Sequence, residues 1–151
     1  MRWMAADVEM YQKAAEYVDT VIVPLLPVSL DAEMKQHASM AEFTGLLTTQ
    51  LEKQFRGRIF LFPGFVYMKD EVDSLIALNH WENTLLEKRF HHIFYVTSDS
   101  SWRQREKDLK GNVLWIPSLS LDQMQDEQKR TIVEEQVKQL LPLFIELWNE
   151  K

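Results

Sequence analysis

The chain has 151 residues, 46% hydrophobic and 26% charged, which is typical of one compact globular domain and favours neither a disordered nor a fibrous protein. Its 17 Lys and Arg residues against 23 Asp and Glu residues give a net charge of −6, so we expect no binding to nucleic acid. The absence of cysteine excludes disulfides and cysteine metal sites, and it favours a cytoplasmic protein.

The first predicted helix begins at Asp7 and ends near Asp19, because its apolar residues are three or four positions apart. The run from Thr20 to Leu26 is β-branched and apolar on both faces, which predicts a buried strand. Pro24 has no N–H to donate to a neighbouring strand. We therefore expect the regular part of this strand to end before Pro24.

The next two helices are predicted from capping residues. After a long connection over Pro27–Ala38, the pattern Ser39-Met40-Ala41-Glu42 has the form of a capping box and predicts a second helix. Gly57 is expected to end it in the left-handed conformation. Residues 58–62 predict the second strand, and Asp70 predicts the start of a third helix that runs towards Phe90.

A third strand is predicted over His92–Thr97, an apolar run that ends abruptly in small polar residues. Ser100 or Ser101 then starts a short helix that Gly111 ends. Residues 112–116 predict the fourth strand, which is again apolar and rich in residues that favour strands.

The last predicted helix begins at the capping pattern Ser120-Leu121-Asp122-Gln123, and Pro142 should kink or divide it. Its apolar residues cover more of the helix surface than packing on one sheet requires. We therefore predict that Leu143, Ile145 and Trp148 contact a protein partner or a second copy of the chain. The alternative is that these side chains are buried within the monomer.

This order of elements predicts an α/β fold for residues 1–151 as a single domain. Apolar strands that alternate with amphipathic helices are typical of a parallel sheet covered on both faces. We expect a three-layer α/β/α sandwich of about four mostly parallel strands in the order 2-1-3-4, Rossmann-like or flavodoxin-like but without a dinucleotide motif. No apolar run approaches the roughly 20 residues of a membrane span, so we expect no membrane insertion.

A ligand site is predicted where the strands end. In parallel sheets, ligands bind beyond the carboxyl ends of the strands, where hydroxyl, carboxylate and guanidinium groups can hold a phosphate or carboxylate. The alternative is that the same polar residues only cap a short helix and turn the chain. The predicted ligand-binding residues are Ser29, His37, Thr97, Ser98, Asp99 and Arg103.

Recognisable catalytic motifs are missing. The four glycines cannot form a dinucleotide or Walker loop, and no HExxH or GxSxG pattern occurs, so we predict no cofactor. His91 and His92 are adjacent on a strand and point to opposite faces, so we predict no metal site. We favour a non-catalytic interaction or accessory protein over an enzyme. The alternative is small-anion or nucleotide-type ligand binding, or a modest enzymatic activity, at the strand ends.

The sequence also resembles a known family over essentially all 151 residues. Trp3 with Asp7, the run Tyr17-Val18-Asp19-Thr20 and the run from Ile93 to Asp99 resemble the YpiF-like uncharacterised proteins of Bacillus-type bacteria. The resemblance implies a bacterial protein. That family carries no assigned activity, so the resemblance implies no catalytic residue.

Overall fold

A computed structural model describes residues 1–150. Within these residues the chain forms five α-helices and five strands, with short 3₁₀ turns after α1 and α4. The helices are Ala5–Lys13 (α1), Met34–Gln54 (α2), Ser74–Glu87 (α3), Trp102–Arg105 (α4) and Asp126–Asn149 (α5). The strands are Thr20–Val28 (β1), Ile59–Leu61 (β2), Phe65–Met68 (β3), His92–Thr97 (β4) and Asn112–Trp115 (β5).

The strand β1 lies at the centre of the sheet, and each of its pairings is parallel. The order is β2-β1-β4-β5, with β3 also paired to β1. For the four strands predicted from the sequence, this confirms both the parallel direction and the order 2-1-3-4. The carboxyl ends of the strands therefore meet at one edge of the sheet, where the ligand site was predicted.

The prediction that the regular part of β1 ends before Pro24 is wrong, because the strand continues through Pro24 and Pro27 to Val28. The backbone groups of Thr20 and Ile22 form hydrogen bonds on the side of β2. Since alternate residues of a strand point the same way, the Pro24 nitrogen faces the break between β2 and β3. A missing N–H is tolerated there because no ladder bond is lost.

The sequence does not predict β3. Pro63-Gly64 interrupts the pairing with β1 after β2. The pairing resumes further along β1, where Leu25 lies opposite Phe65 and Val28 lies opposite Met68. Two short strands thus share one side of β1. Side chains of β3 alternate, with Phe65 and Tyr67 buried and the other two exposed.

The starts of the first three helices differ from the capping predictions, and α1 runs over Ala5–Lys13 rather than from Asp7 to near Asp19. The helix α2 begins before the pattern at Ser39, because His37 is buried and extends the packed part of the helix. Gly57 adopts the predicted left-handed conformation, with a φ of 97°, but α2 already ends at Gln54. The helix α3 begins at Ser74 rather than at Asp70, because Lys69 still bonds to β1 through its backbone N–H.

The start of α5 also differs from the prediction. Leu121 is buried in the core, so the predicted capping pattern around it forms an irregular segment. The capping box is formed by Gln125 and Gln128 instead. Pro142 lies inside α5 and does not divide it.

Two apolar layers enclose the sheet and confirm the three-layer α/β/α architecture. One face of the sheet packs against α2 and α5, through residues such as Phe43, Leu47 and Phe144. The other face packs against α1, α3 and α4, through residues such as Tyr11, Leu78 and Trp102. Burial of this apolar surface on both sides is the main stabilising contribution to a fold of this kind.

Glu82 is a buried carboxylate that ties α3 to the turn before β5. It accepts hydrogen bonds from Tyr95 Oη at 2.8 Å, from Lys110 N at 2.9 Å and from Gly111 N at 2.8 Å. Burial, and then the Glu82 carboxylate, raise the pKa of Tyr95 above its usual range, so its hydroxyl stays a donor. A Cβ on Gly111 would lie 2.8 Å from Ile93 O, so this turn requires glycine.

Candidate functional site

A cleft of about 590 Å³ opens at the carboxyl edge of the sheet. Its walls come from the start of α2, the residue after β3, the segment that joins β4 to α4, and the end of β5. This is the edge at which ligands bind in most parallel sheets. The lining residues are Glu33, Gln36, His37, Met40, Lys69, Ser98–Ser101, Gln104, Trp115, Pro117 and Ser118.

Asp99 is held on the wall of the cleft by two uncharged donors. Tyr67 Oη donates to Asp99 Oδ2, and Ser101 N donates to Asp99 Oδ1 at 3.0 Å. Trp102 Nε1 in turn donates to Tyr67 Oη at 2.7 Å. Burial, and then Asp99, raise the pKa of Tyr67 above its usual range, so Tyr67 stays protonated and donates. Each carboxylate oxygen can still accept a further hydrogen bond.

Ser98 and Thr97 lie behind Asp99 at the end of β4. Thr97 is fully buried; its Oγ1 donates to Leu25 O at 2.9 Å and accepts from Asp99 N at 3.0 Å, which fixes the turn. Ser98 is 6% exposed and its carbonyl accepts from Trp115 Nε1 at 3.1 Å. Within residues 1–150, Ser98 Oγ is the one buried side-chain polar atom that has no hydrogen-bond partner among the protein's own atoms.

His37 is oriented by a hydroxyl and a carboxylate. It lies on α2 and is buried, so the prediction that it lies in a loop is wrong. Its Nδ1 is 2.8 Å from Ser29 Oγ, and its Nε2 is 3.5 Å from Glu33 Oε2. Lys69 Nζ forms an ion pair with Glu33 Oε1. Both ring nitrogens of His37 therefore already face partners within the protein.

Arg103 is not on the wall of the cleft. The sequence predicts that its guanidinium group neutralises a bound anion, but its central carbon lies 4.6 Å from the ring centroid of Trp115, and it stacks there. The neighbouring Arg105 stacks in the same way on Trp102, at 4.8 Å. Both guanidinium groups are therefore engaged with aromatic rings.

The six predicted ligand-binding residues thus fall into three groups. His37, Ser98 and Asp99 line the cleft. Ser29 and Thr97 support lining residues through hydrogen bonds. Arg103 stacks on a lining residue.

The predicted ligand-binding residues do not include Glu33, Tyr67, Lys69 or Trp115, which belong to this site. The sequence places residues 65–67 at the carboxyl edge, after the second strand, but it does not predict that they form β3. A usable signal was present, since Phe65–Met68 alternates buried and exposed side chains directly after a Pro-Gly turn. Trp115 ends β5, so the rule that placed the site at the strand ends also applies to it.

The predicted partner-binding residues of α5 do not form one surface. Leu143 is 42% exposed and Ile145 is 52% exposed. With 3.6 residues per turn, two positions are about 200° apart around the helix, so these side chains lie on opposite flanks of the buried Phe144. Trp148 is half-buried and packs against Phe55, with ring centroids 4.7 Å apart.

Trp148 also belongs to a charged cluster at the opposite, amino edge of the sheet. Arg58 lies 3.9 Å above the Trp148 ring and forms two hydrogen bonds to Asp19, at 3.0 and 3.2 Å. Burial raises the pKa of Asp19, but the hydrogen bonds from Arg58 and Thr20, with the charges of Arg58 and His92, outweigh it and lower this pKa below its usual value. The cluster stabilises the fold far from the cleft.

In the described part of the chain, no group of three or more His, Asp or Glu side chains is close enough to hold a metal ion. None of the helices within residues 1–150 combines the length and the apolar character that crossing a membrane requires.

Comparison with known proteins agrees with the resemblance seen in the sequence. The "Uncharacterized protein YpiF" of Bacillus subtilis (strain 168) is 32% identical over 149 residues, which cover 99% of each chain. No solved structure matches the chain. A family model described as "Protein of unknown function (DUF2487)" matches residues 9–148. The resemblance to YpiF-like proteins is confirmed, and the chain belongs to the DUF2487 family.

Proposed function

We propose that the protein binds a small polar molecule in the cleft at the carboxyl edge of the sheet. The observation that carries this proposal is the unpartnered Oγ of Ser98, in a residue only 6% exposed that lines the cleft. A buried hydroxyl without a partner costs about 1–3 kcal/mol of stability. Natural proteins retain few of these groups, and one in a residue that lines a cleft marks a place where a bound molecule or an ordered water completes the hydrogen bonding.

The surroundings of Ser98 support the same function. Asp99 keeps free acceptor capacity after its bonds to Tyr67 and Ser101. His37 lies in the same cleft and is held in one orientation by Ser29. A volume of about 590 Å³ is within the range of clefts that hold small molecules. Several polar groups of fixed geometry thus converge on one cavity.

A ligand screen tests the proposal. Thermal unfolding should be measured with a panel of sugars, nucleosides, nucleotides, amino acids and phosphorylated metabolites. A ligand at 100 times its dissociation constant adds about 2.7 kcal/mol of stability. The Ser98→Ala variant should fold but lose the shift, whereas the control Ser74→Ala, a buried serine outside the cleft, should keep it. Equal shifts in wild type and Ser98→Ala would refute the proposal.

Contact with a protein partner or a second copy of the chain is the second candidate function. It is supported by the exposure of Leu143 and Ile145, although they lie on different flanks of α5. Light scattering over a range of concentrations tests it. If the chain self-associates through α5, Leu143→Glu or Ile145→Glu should lower the average mass to that of a monomer. A wild-type protein that is monomeric at all concentrations contradicts self-association.

A further inference from the structure

The ionisable groups of the cleft leave one charge without a countercharge. Lys69 forms an ion pair with Glu33, and the imidazole of His37 faces the same carboxylate at 3.5 Å. Asp99, by contrast, is bonded only to the uncharged donors Tyr67 Oη and Ser101 N. An anionic ligand in this cleft would therefore lie near the negative charge of Asp99, and no cation is paired with Asp99 to reduce the repulsion.

The nearby guanidinium groups form no hydrogen bond or ion pair to Asp99 in the described residues, although the charge of Arg105 does act on Tyr67, the donor to Asp99. Arg103 stacks on Trp115, and Arg105 stacks on Trp102 and donates to Ser74 Oγ at 3.3 Å. Neither arginine lines the cleft. A phosphate group usually requires such a guanidinium group or a free ammonium group as its partner.

Trp115 supplies an apolar surface on the cleft wall. Its Nε1 donates to Ser98 O at 3.1 Å, which fixes the orientation of the indole ring, and its side chain is half-buried and lines the cleft. Aromatic surfaces of this kind pack against the carbon face of a ring. The ligand therefore needs a flat or ring-shaped apolar part next to its polar groups.

The remaining polar groups suit hydroxyls. Ser98 Oγ and the amides of Gln36 and Gln104 can both donate and accept, while Asp99 can only accept when ionised. A pair of neighbouring hydroxyls can donate to one carboxylate and accept from amides. Carboxylates at this edge of a parallel sheet accept from ribose hydroxyls in the same manner.

From these contacts, and resting on the proposed cleft-binding function, we infer that the ligand is uncharged and carries a hydroxyl-rich ring. A free monosaccharide and the ribose of a nucleoside share this chemistry. Asp99 accepts from the ring hydroxyls, Trp115 packs against the ring, and Ser98 Oγ gains its missing partner. Asp99 also discriminates against phosphorylated forms of the same molecule.

Calorimetric titration with matched ligands tests the inference. Glucose is compared with glucose 6-phosphate and glucosamine, and adenosine is compared with AMP, on wild type, Asp99→Asn and the control Asp108→Asn. The control removes the same charge from an exposed residue outside the cleft. Glucose or adenosine should bind about tenfold more tightly than its phosphorylated form, because two like charges are brought near Asp99. Asp99→Asn should abolish this preference, and Asp108→Asn should keep it.

Three results would overturn the inference. A phosphorylated form could bind as tightly as the neutral ligand or more tightly, or glucosamine could bind at least tenfold more tightly than glucose. The third result is that neither neutral ligand binds at millimolar concentration. The relative affinities of glucose and adenosine distinguish a sugar site from a nucleoside site. The proposed function is decided separately, because the thermal screen with Ser98→Ala responds to a ligand of any charge.

Discussion

Replacing Ser98 by alanine should leave the protein as stable as the wild type or make it more stable. The change removes one buried oxygen that has no hydrogen-bond partner and keeps the backbone contact from Trp115 Nε1 to the Ser98 carbonyl. Most substitutions of buried residues destabilise a protein by about 0.5–3 kcal/mol, so a neutral or positive result is distinctive.

The expected magnitude follows from the desolvation of the hydroxyl. An unsatisfied buried hydroxyl costs about 1–3 kcal/mol, and its removal recovers part of that free energy. The free energy of unfolding should therefore rise by up to about 2 kcal/mol. For a chain of this length, each kcal/mol corresponds to about 2–4 °C in Tm.

Urea unfolding with linear extrapolation measures the effect, with Ser74→Ala as the matched control. Ser74 is also a buried serine, but its Oγ donates to Glu71 O at 3.3 Å and accepts from Arg105 Nη1 at 3.3 Å. Its replacement should lower stability by about 1 kcal/mol. If Ser98→Ala loses 1 kcal/mol or more, the hydroxyl has a partner in the folded protein and our reasoning about the cleft fails.

Three other predictions concern the fold. Gly111→Ala should lower the free energy of unfolding by about 1–3 kcal/mol in urea, because the added Cβ would lie 2.8 Å from Ile93 O. Glu82→Gln should lower it by about 2–3 kcal/mol, because an amide N–H₂ replaces an oxygen that accepts from backbone donors. Asp19→Asn should destabilise at pH 7 but less so in acid. The pKa of Asp19 in the folded protein is lower than its ordinary value of 3.8. The ionised carboxylate therefore contributes its full stabilisation above pH 3.8, and this stabilisation is lost as the pH falls through the folded-state pKa.

Two of these predictions have a matched control variant. Gly45→Ala, in α2 with nothing within 4 Å of the added Cβ, should raise stability by up to about 1 kcal/mol. Glu87→Gln, exposed at the end of α3, should change stability by less than about 0.5 kcal/mol. For Asp19, unfolding curves of wild type and variant that stay equally far apart from pH 7 to pH 3 would contradict the assigned pKa direction.

The strands were predictable because parallel strands buried on both faces are nearly continuous apolar runs. The full length of β1 was not, because whether Pro24 fits a central strand depends on where β2 ends and β3 begins, more than 30 residues later. The helix starts failed for a related reason. The pattern at Ser39 is a local signal, and the burial of His37 two residues earlier outweighed it.

The candidate site was predictable in place but not in detail. The rule for parallel sheets selected the carboxyl edge, and His37, Ser98 and Asp99 do line a cleft there. The position of Arg103 could not be derived, because it depends on how Trp115 is oriented. Nor does any sequence pattern indicate that one buried hydroxyl has no partner.

The central position of β1 determines when the sheet can assemble during synthesis. Its partners β2, β3 and β4 all follow it in the chain, so the strand leaves the ribosome long before it can pair on either side. An apolar strand that has no partner in its own chain is prone to pair with the same strand of another copy of the chain. Pro24 and Pro27 each lack an N–H, which makes the waiting segment a poor template for such stacking. The strand therefore offers two fewer backbone donors to a second copy of the chain during the interval before β4 is synthesised.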